Sequence, residues 1–130
     1  MKKYLILLAG FAMLGMIACK KDPVFTAEEQ YNILSVSGPP TGLINTDVDV
    51  AVTHPYSNGC DYLGRFEETK NGNIVSIKAY SKPVPKNSAC TQDAGTRTMI
   101  YKFKSTTAGS YELRFMNRDG SFVNHAITIQ

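Results

Sequence analysis

The stretch "TDVDVAVTH", residues 46–54, alternates strictly. Val48, Val50 and Val52 fall on one side of an extended chain, and Asp47, Asp49 and Thr53 on the other. A period of two is the signature of a strand with one buried face. The run "RTMIYKFK", 97–104, repeats the pattern with Met99, Tyr101 and Phe103, and "SYELRF", 110–115, repeats it with Tyr111, Leu113 and Phe115. Segments 31–37, 62–69, 73–81 and 122–129 bring the count to seven strands. Short strands at regular spacing, parted by turn formers and without an amphipathic helix, predict an all-β, seven-stranded antiparallel β-sandwich over 31–130.

Two turns set expected registers. Asn71–Gly72 between two β-runs suits a type I′ hairpin, whose central residues both take positive φ. It would pair Phe66 with Ile77 and Glu68 with Val75. In "NRDGS", 117–121, a two-residue Asp-Gly loop would turn Val123 and Ile127 to the wrong face. A three-residue loop with Gly120 left-handed instead pairs Phe115 with Val123 and Tyr111 with Ile127.

The other end of the chain reads differently. Lys2 and Lys3 precede an apolar run, Tyr4 to Ile17, which stops at Ala18–Cys19 and is followed by "KKDP". This is the layout of a secretory signal peptide over 1–18, and the run is too short for a transmembrane helix. Gly15, Met16, Ile17 and Ala18 before Cys19 resemble the lipobox of bacterial lipoproteins. The resemblance implies cleavage before Cys19, with diacylglyceryl on its sulfur and acylation (typically palmitate) of the new amino terminus. Such chains hold a protein on a bilayer without a spanning helix, each contributing about 0.8 kcal/mol per buried CH2. Lys20 after Cys19 resembles the outer-membrane sorting pattern, and the charged run resembles Bacteroidota surface lipoproteins. Residues 19–30 then read as the lipidated cysteine and a polar tether, reaching roughly 35 Å when extended.

Charge and cysteines follow from that division. Taking Lys2 and Lys3 from 14 basic residues leaves 12 against 11 acidic, a net of +1. Nucleic acid therefore loses its electrostatic footprint as a partner. The remaining chain has the length of one domain. With Cys19 given to lipid, Cys60 and Cys90 are left, and an oxidising compartment predicts one disulfide between them. Their spacing does not suit a metal site.

"STTAGSYELRF", 105–115, resembles the E–F corner of immunoglobulin-like domains. The resemblance implies that the Tyr111 hydroxyl bonds back to nearby backbone. Trp is absent, and the cysteines do not sit on the strands of the immunoglobulin inter-sheet bridge. With 62–69 and 73–81 taken as C and C′, the B–C loop (54–61), the C′–E loop (82–96) and the F–G turn (117–120) share one end. Cys60 and Cys90 lie in the first two. Strand A should begin at that end too.

The catalytic inventory is thin. Only His54 and His125 could act as neutral-pH bases, and no nucleophile, phosphate-loop or dinucleotide fingerprint occurs. His125 reads as a half-buried, hydrogen-bonded side chain. Asp47 and Asp49 lack further spaced oxygen ligands and read as a solvated face, not a calcium site. Glu67 and Glu68 point to opposite faces. No enzyme, cofactor or metal is expected. The loop "HPYSNGCDY", 54–62, offers amphipathic Tyr56 and Tyr62 with polar Asn58 and Asp61, a paratope-like composition. Asp119 lies nearby in the F–G turn. These five residues are the candidate ligand site of a lipid-anchored module that binds a protein or glycan. Two alternatives stand beside it. "GTRTMIYKFKSTTAGSYELRF" loosely resembles the later strands of chagasin-type cysteine protease inhibitors, although their inhibitory loops are replaced here by "RDGS" and "KNSACTQDAG". An envelope accessory protein without a specific ligand is the other.

Overall fold

A computed structural model describes residues 21–130 of the chain. The expected signal peptide and Cys19 lie outside the described residues. Among the described residues eight strands form: β1 (Ser35–Ser37), β2 (Thr41–Gly42), β3 (Val48–Tyr56), β4 (Leu63–Asn71), β5 (Ile74–Ser81), β6 (Gly95–Phe103), β7 (Gly109–Met116) and β8 (Phe122–Ile129). A three-stranded sheet ordered β1-β3-β6 faces a five-stranded sheet ordered β2-β8-β7-β5-β4. The fold is an all-β sandwich.

The alternating valines do what their period requires. Val48, Val50 and Val52 are buried, and His54 continues the same side into the interior. Met99, Tyr101 and Phe103 of β6 meet Val75, Ile77, Leu113 and Phe115 from the opposite sheet. Tyr101 stands edge-on to both Phe66 and Phe115, with ring centroids 5.2 and 5.4 Å apart, a favoured aromatic geometry. Outside, Asp49 pairs with Lys102 at 2.7 Å and Asp47 with Lys104 at 3.2 Å, so these carboxylates belong to a solvated strand face.

Several expectations are corrected. The eighth strand, β2, pairs in parallel with β8. A second parallel pair, β5 with β7, replaces the expected uniformly antiparallel arrangement and departs from the immunoglobulin order. Side-chain character explains it. In β5, Val75, Ile77 and Ala79 are buried, so β5 takes the inner position. In β4, Arg65, Glu67, Thr69 and Lys70 are exposed, which suits an edge strand guarded by charge.

The β4–β5 hairpin pairs Asn71 with Ile74, Phe66 with Ala79 and Glu68 with Ile77, so its loop is Gly72–Asn73. Only Gly72 takes positive φ, at 61°, as a II′-type turn requires. The expected I′ turn would force Asn71 into the same region. The β7–β8 hairpin has the expected register, Phe115 opposite Val123 and Tyr111 opposite Ile127, with Gly120 at φ 86°. The Tyr111 hydroxyl donates to the Thr107 carbonyl at 2.9 Å, as the E–F corner resemblance implies.

The first strand starts at Ser35 rather than Tyr31. The preceding segment crosses the end of the sandwich instead. Thr26 N donates to Val84 O, and Tyr31 N to Ala79 O, both at 2.8 Å. Ile33 N donates to Asn117 Oδ1 at 2.7 Å. From Val24 onward the expected tether is therefore hydrogen-bonded to the domain.

Candidate functional site

Strand directions gather the β3–β4 loop (57–62), the β5–β6 loop (82–94) and the β7–β8 turn at one end. The Cys60–Cys90 disulfide joins the first two across a Cα–Cα distance of 5.3 Å. Gly59 lies against the second loop. A Cβ there would sit 1.9 Å from Thr91 Oγ1, and Gly59 N donates to Thr91 O at 2.9 Å.

Beside the disulfide lies an open cleft of about 540 Å3. One wall is the crossing segment, with Thr26, Glu29 and Tyr31. The other carries Tyr56, Asn58 and Asp61, and the rim carries Lys82, Lys86 and Arg118. The volume falls in the range of small-ligand clefts. Three of the five candidate residues, Tyr56, Asn58 and Asp61, line it. Tyr62 and Asp119 do not.

Each of the five has a structural occupation. Asn58 Oδ1 accepts from Cys60 N at 2.9 Å, which shapes the turn. Asp61 Oδ1 accepts from the Tyr31 hydroxyl at 2.5 Å. Asp119 Oδ1 accepts from Ser121 N at 2.9 Å and from its hydroxyl at 2.6 Å. Those bonds, the hydroxyl's first, hold the Asp119 carboxyl below its ordinary pKa. Tyr56 and Tyr62 sandwich the Arg97 guanidinium, whose carbon lies 4.2 and 4.3 Å from their ring centroids. Arg97 also donates to the carbonyls of Asp61 and Gly59.

Arg97 and Arg118 also belong to this end of the domain, and neither lies in a motif of the sequence. Arg97 falls on the inward side of the β6 alternation, opposite His54 in the β3–β6 register. Placed at the end of the core, it caps the sandwich with a planar cation between two rings. Arg118 donates to the Gln30 carbonyl and to Glu29 Oε2, tying the β7–β8 turn to the crossing segment.

The histidines are committed elsewhere. His54 is 1% exposed, packs its ring 3.9 Å from that of Tyr31, and has Nδ1 2.9 Å from the Pro55 carbonyl. His125 Nε2 lies 3.0 Å from the Pro39 carbonyl. Among the described residues, no group of His, Cys, Asp and Glu side chains is placed to hold a metal ion.

The model of the ORF11 β-sandwich domain family matches residues 50–125. The chain belongs to this family. The matched span holds both disulfide cysteines, Tyr56, Arg97 and Arg118, whereas the crossing segment that forms the second wall precedes it. Neither a curated protein nor a solved structure matches the chain.

Proposed function

We propose that the chain is a non-catalytic binding module for a protein or a glycan, held on the outer membrane by lipid on Cys19. The observation that carries the binding part is the cleft, whose two loops are fixed by the disulfide. Each side chain immobilised on binding costs about 0.5–1.5 kcal/mol, so loops ordered beforehand favour association. Asn58, Tyr56 and the rim lysines offer acceptors, an amphipathic ring and cations to a polar ligand.

A chagasin-type mode needs three loops entering a protease cleft together. Here Asn117 and Arg118 of the third turn are bonded to the crossing segment, which favours the binding-module reading. The lipobox remains the support for the anchor.

The test has two arms. Intact mass of membrane-extracted protein should show loss of residues 1–18 and gain of diacylglyceryl plus an acyl chain. A product cut elsewhere ends the anchor reading. A pull-down from intact envelopes should yield a protein or glycan that Tyr56→Ala and Asn58→Ala each lose. If both bind like the parent while Ile100→Glu on an outer sheet face abolishes capture, the cleft is not the site.

A further inference from the structure

Two apolar side chains stand out at the start of the described chain. Val24 is 64% and Phe25 50% exposed. They belong to a short ribbon beyond the end of β5. Lys86 N donates to Val24 O at 2.8 Å, and Phe25 is bridged to Pro85. The same line of pairing places Gln30 opposite Tyr80 at the foot of the ribbon. Successive residues of an extended chain point to opposite faces, so Val24 and Phe25 lie on opposite sides of this ribbon.

That arrangement suits one kind of partner. A protein surface or a second copy would cover one face, and two side chains fall far below the roughly 800 Å2 that each partner gives to a stable interface. A lipid interface surrounds a projecting tip and accepts apolar groups from both faces at once. The charges around the tip point the same way. Lys86 pairs with Val24, Lys82 follows β5, and Lys21 lies three residues before Val24, so three cations stand against the single carboxylate of Asp22 next to Lys21. Among the described residues, none of these lysines makes an ion pair, whereas Glu28 is held by Arg65 and Glu29 by Arg118.

Chain length adds the third argument. The apolar run Tyr4–Ile17 ends two residues before Cys19, and only Lys20 to Pro23 separate Cys19 from Val24. The five steps from Cys19 to Val24 span at most about 18 Å when fully extended. A membrane attachment at Cys19 therefore keeps the ribbon within that distance of the bilayer.

We propose that this ribbon docks on an anionic lipid bilayer. Val24 and Phe25 enter the interface while Lys21, Lys82 and Lys86 face the headgroups, so the disulfide-tied end is turned toward the membrane. The inference rests on the anchored reading given above, and it places the mouth of the cleft beside the lipid surface.

The chain contains no Trp, so a single introduced one reports its own surroundings. Full-length protein extracted from membranes, carrying Phe25→Trp, is placed in phosphatidylglycerol–phosphatidylcholine vesicles with brominated acyl chains. Thr106→Trp, in the β6–β7 loop at the far end, is the reference. Insertion to interfacial depth should quench Phe25→Trp at least about threefold more strongly than Thr106→Trp. Val24→Trp gives the same reading if Phe25→Trp misfolds. Adding Lys82→Ser and Lys86→Ser should shift the docked-to-undocked ratio by about thirtyfold, at about 1 kcal/mol per lysine. Weak and equal quenching at both ends, with the protein still on the vesicles, overturns the docking and leaves the anchor standing. Protein that stays in solution without acyl mass overturns both.

Discussion

The Tyr31 hydroxyl donates to Asp61 Oδ1 at 2.5 Å, joining the crossing segment to the β3–β4 loop over the buried ring of His54. One bond thus connects a residue ahead of the first strand to the loop that carries the disulfide. It also gives the protein an alkaline weakness.

Burial first, and then the bond to Asp61, push the Tyr31 hydroxyl well above its ordinary pKa of 10.0. Burial and the bond to Glu68 do the same for Tyr101. Both tyrosines hold their protons to higher pH in the folded state than in the unfolded chain. Their contribution is therefore complete below pH 10 and is lost as pH rises beyond it. Tm measured from pH 8 to 11.5 should be flat at first and then fall. Tyr31→Phe should lower stability by about 1–2 kcal/mol at neutral pH and make the alkaline decline shallower. An unchanged decline would show that Tyr31 does not titrate with unfolding.

Reducing Cys60–Cys90 reopens a loop of sequence separation 30. The chain-entropy model puts the loss at roughly 3–4 kcal/mol. Urea unfolding with and without reductant measures it. Far-ultraviolet circular dichroism at low temperature should keep its β form, because the core sheets do not depend on the bridge.

Arg97→Ala removes a cation shared by two rings and should destabilise by about 1–2 kcal/mol, each contact counting about 0.5–1 at a partly exposed site. Arg97→Lys keeps the charge but not the planar fork, so it should recover less than half of that loss. If Lys restores stability fully, charge rather than stacking holds the cap.

Tyr111→Phe deletes the hydroxyl that joins Ser105 and the Thr107 carbonyl. A cost of about 0.5–1.5 kcal/mol is expected in equilibrium unfolding. No change is expected in capture of any envelope partner, since the corner lies at the end of the sandwich away from the cleft.

Much of this architecture was written in the order of residues. The inward sets of β3, β6 and β7 follow from a period of two, a local property set by the pleat. The Phe115–Val123 register follows from loop length and facing parity together, because a two-residue Asp-Gly loop there would turn Val123 and Ile127 outward. Tyr111 and the paired Cys60 and Cys90 were legible for similar reasons: a short-range motif in one case, two cysteines in loops that the strand directions bring to one end in the other.

What the tertiary structure alone decided was identity of neighbours. Parity survives a slip of two residues, so Phe66 opposite Ile77 and Phe66 opposite Ala79 satisfy the same apolar pattern. Turn geometry at Gly72 chose between them. Likewise, alternation says that β5 has a buried face but not that it lies between β4 and β7. The backbone of the crossing segment finds its partners in the Ala79 and Val84 carbonyls and the Asn117 side chain, far along the chain, and nothing local in "FTAEEQYNI" encodes them. Tyr56 and Arg97 are diagonal neighbours on the paired strands β3 and β6, but Tyr62, exposed and just ahead of β4, reaches the same guanidinium only once the opposite sheet is in place.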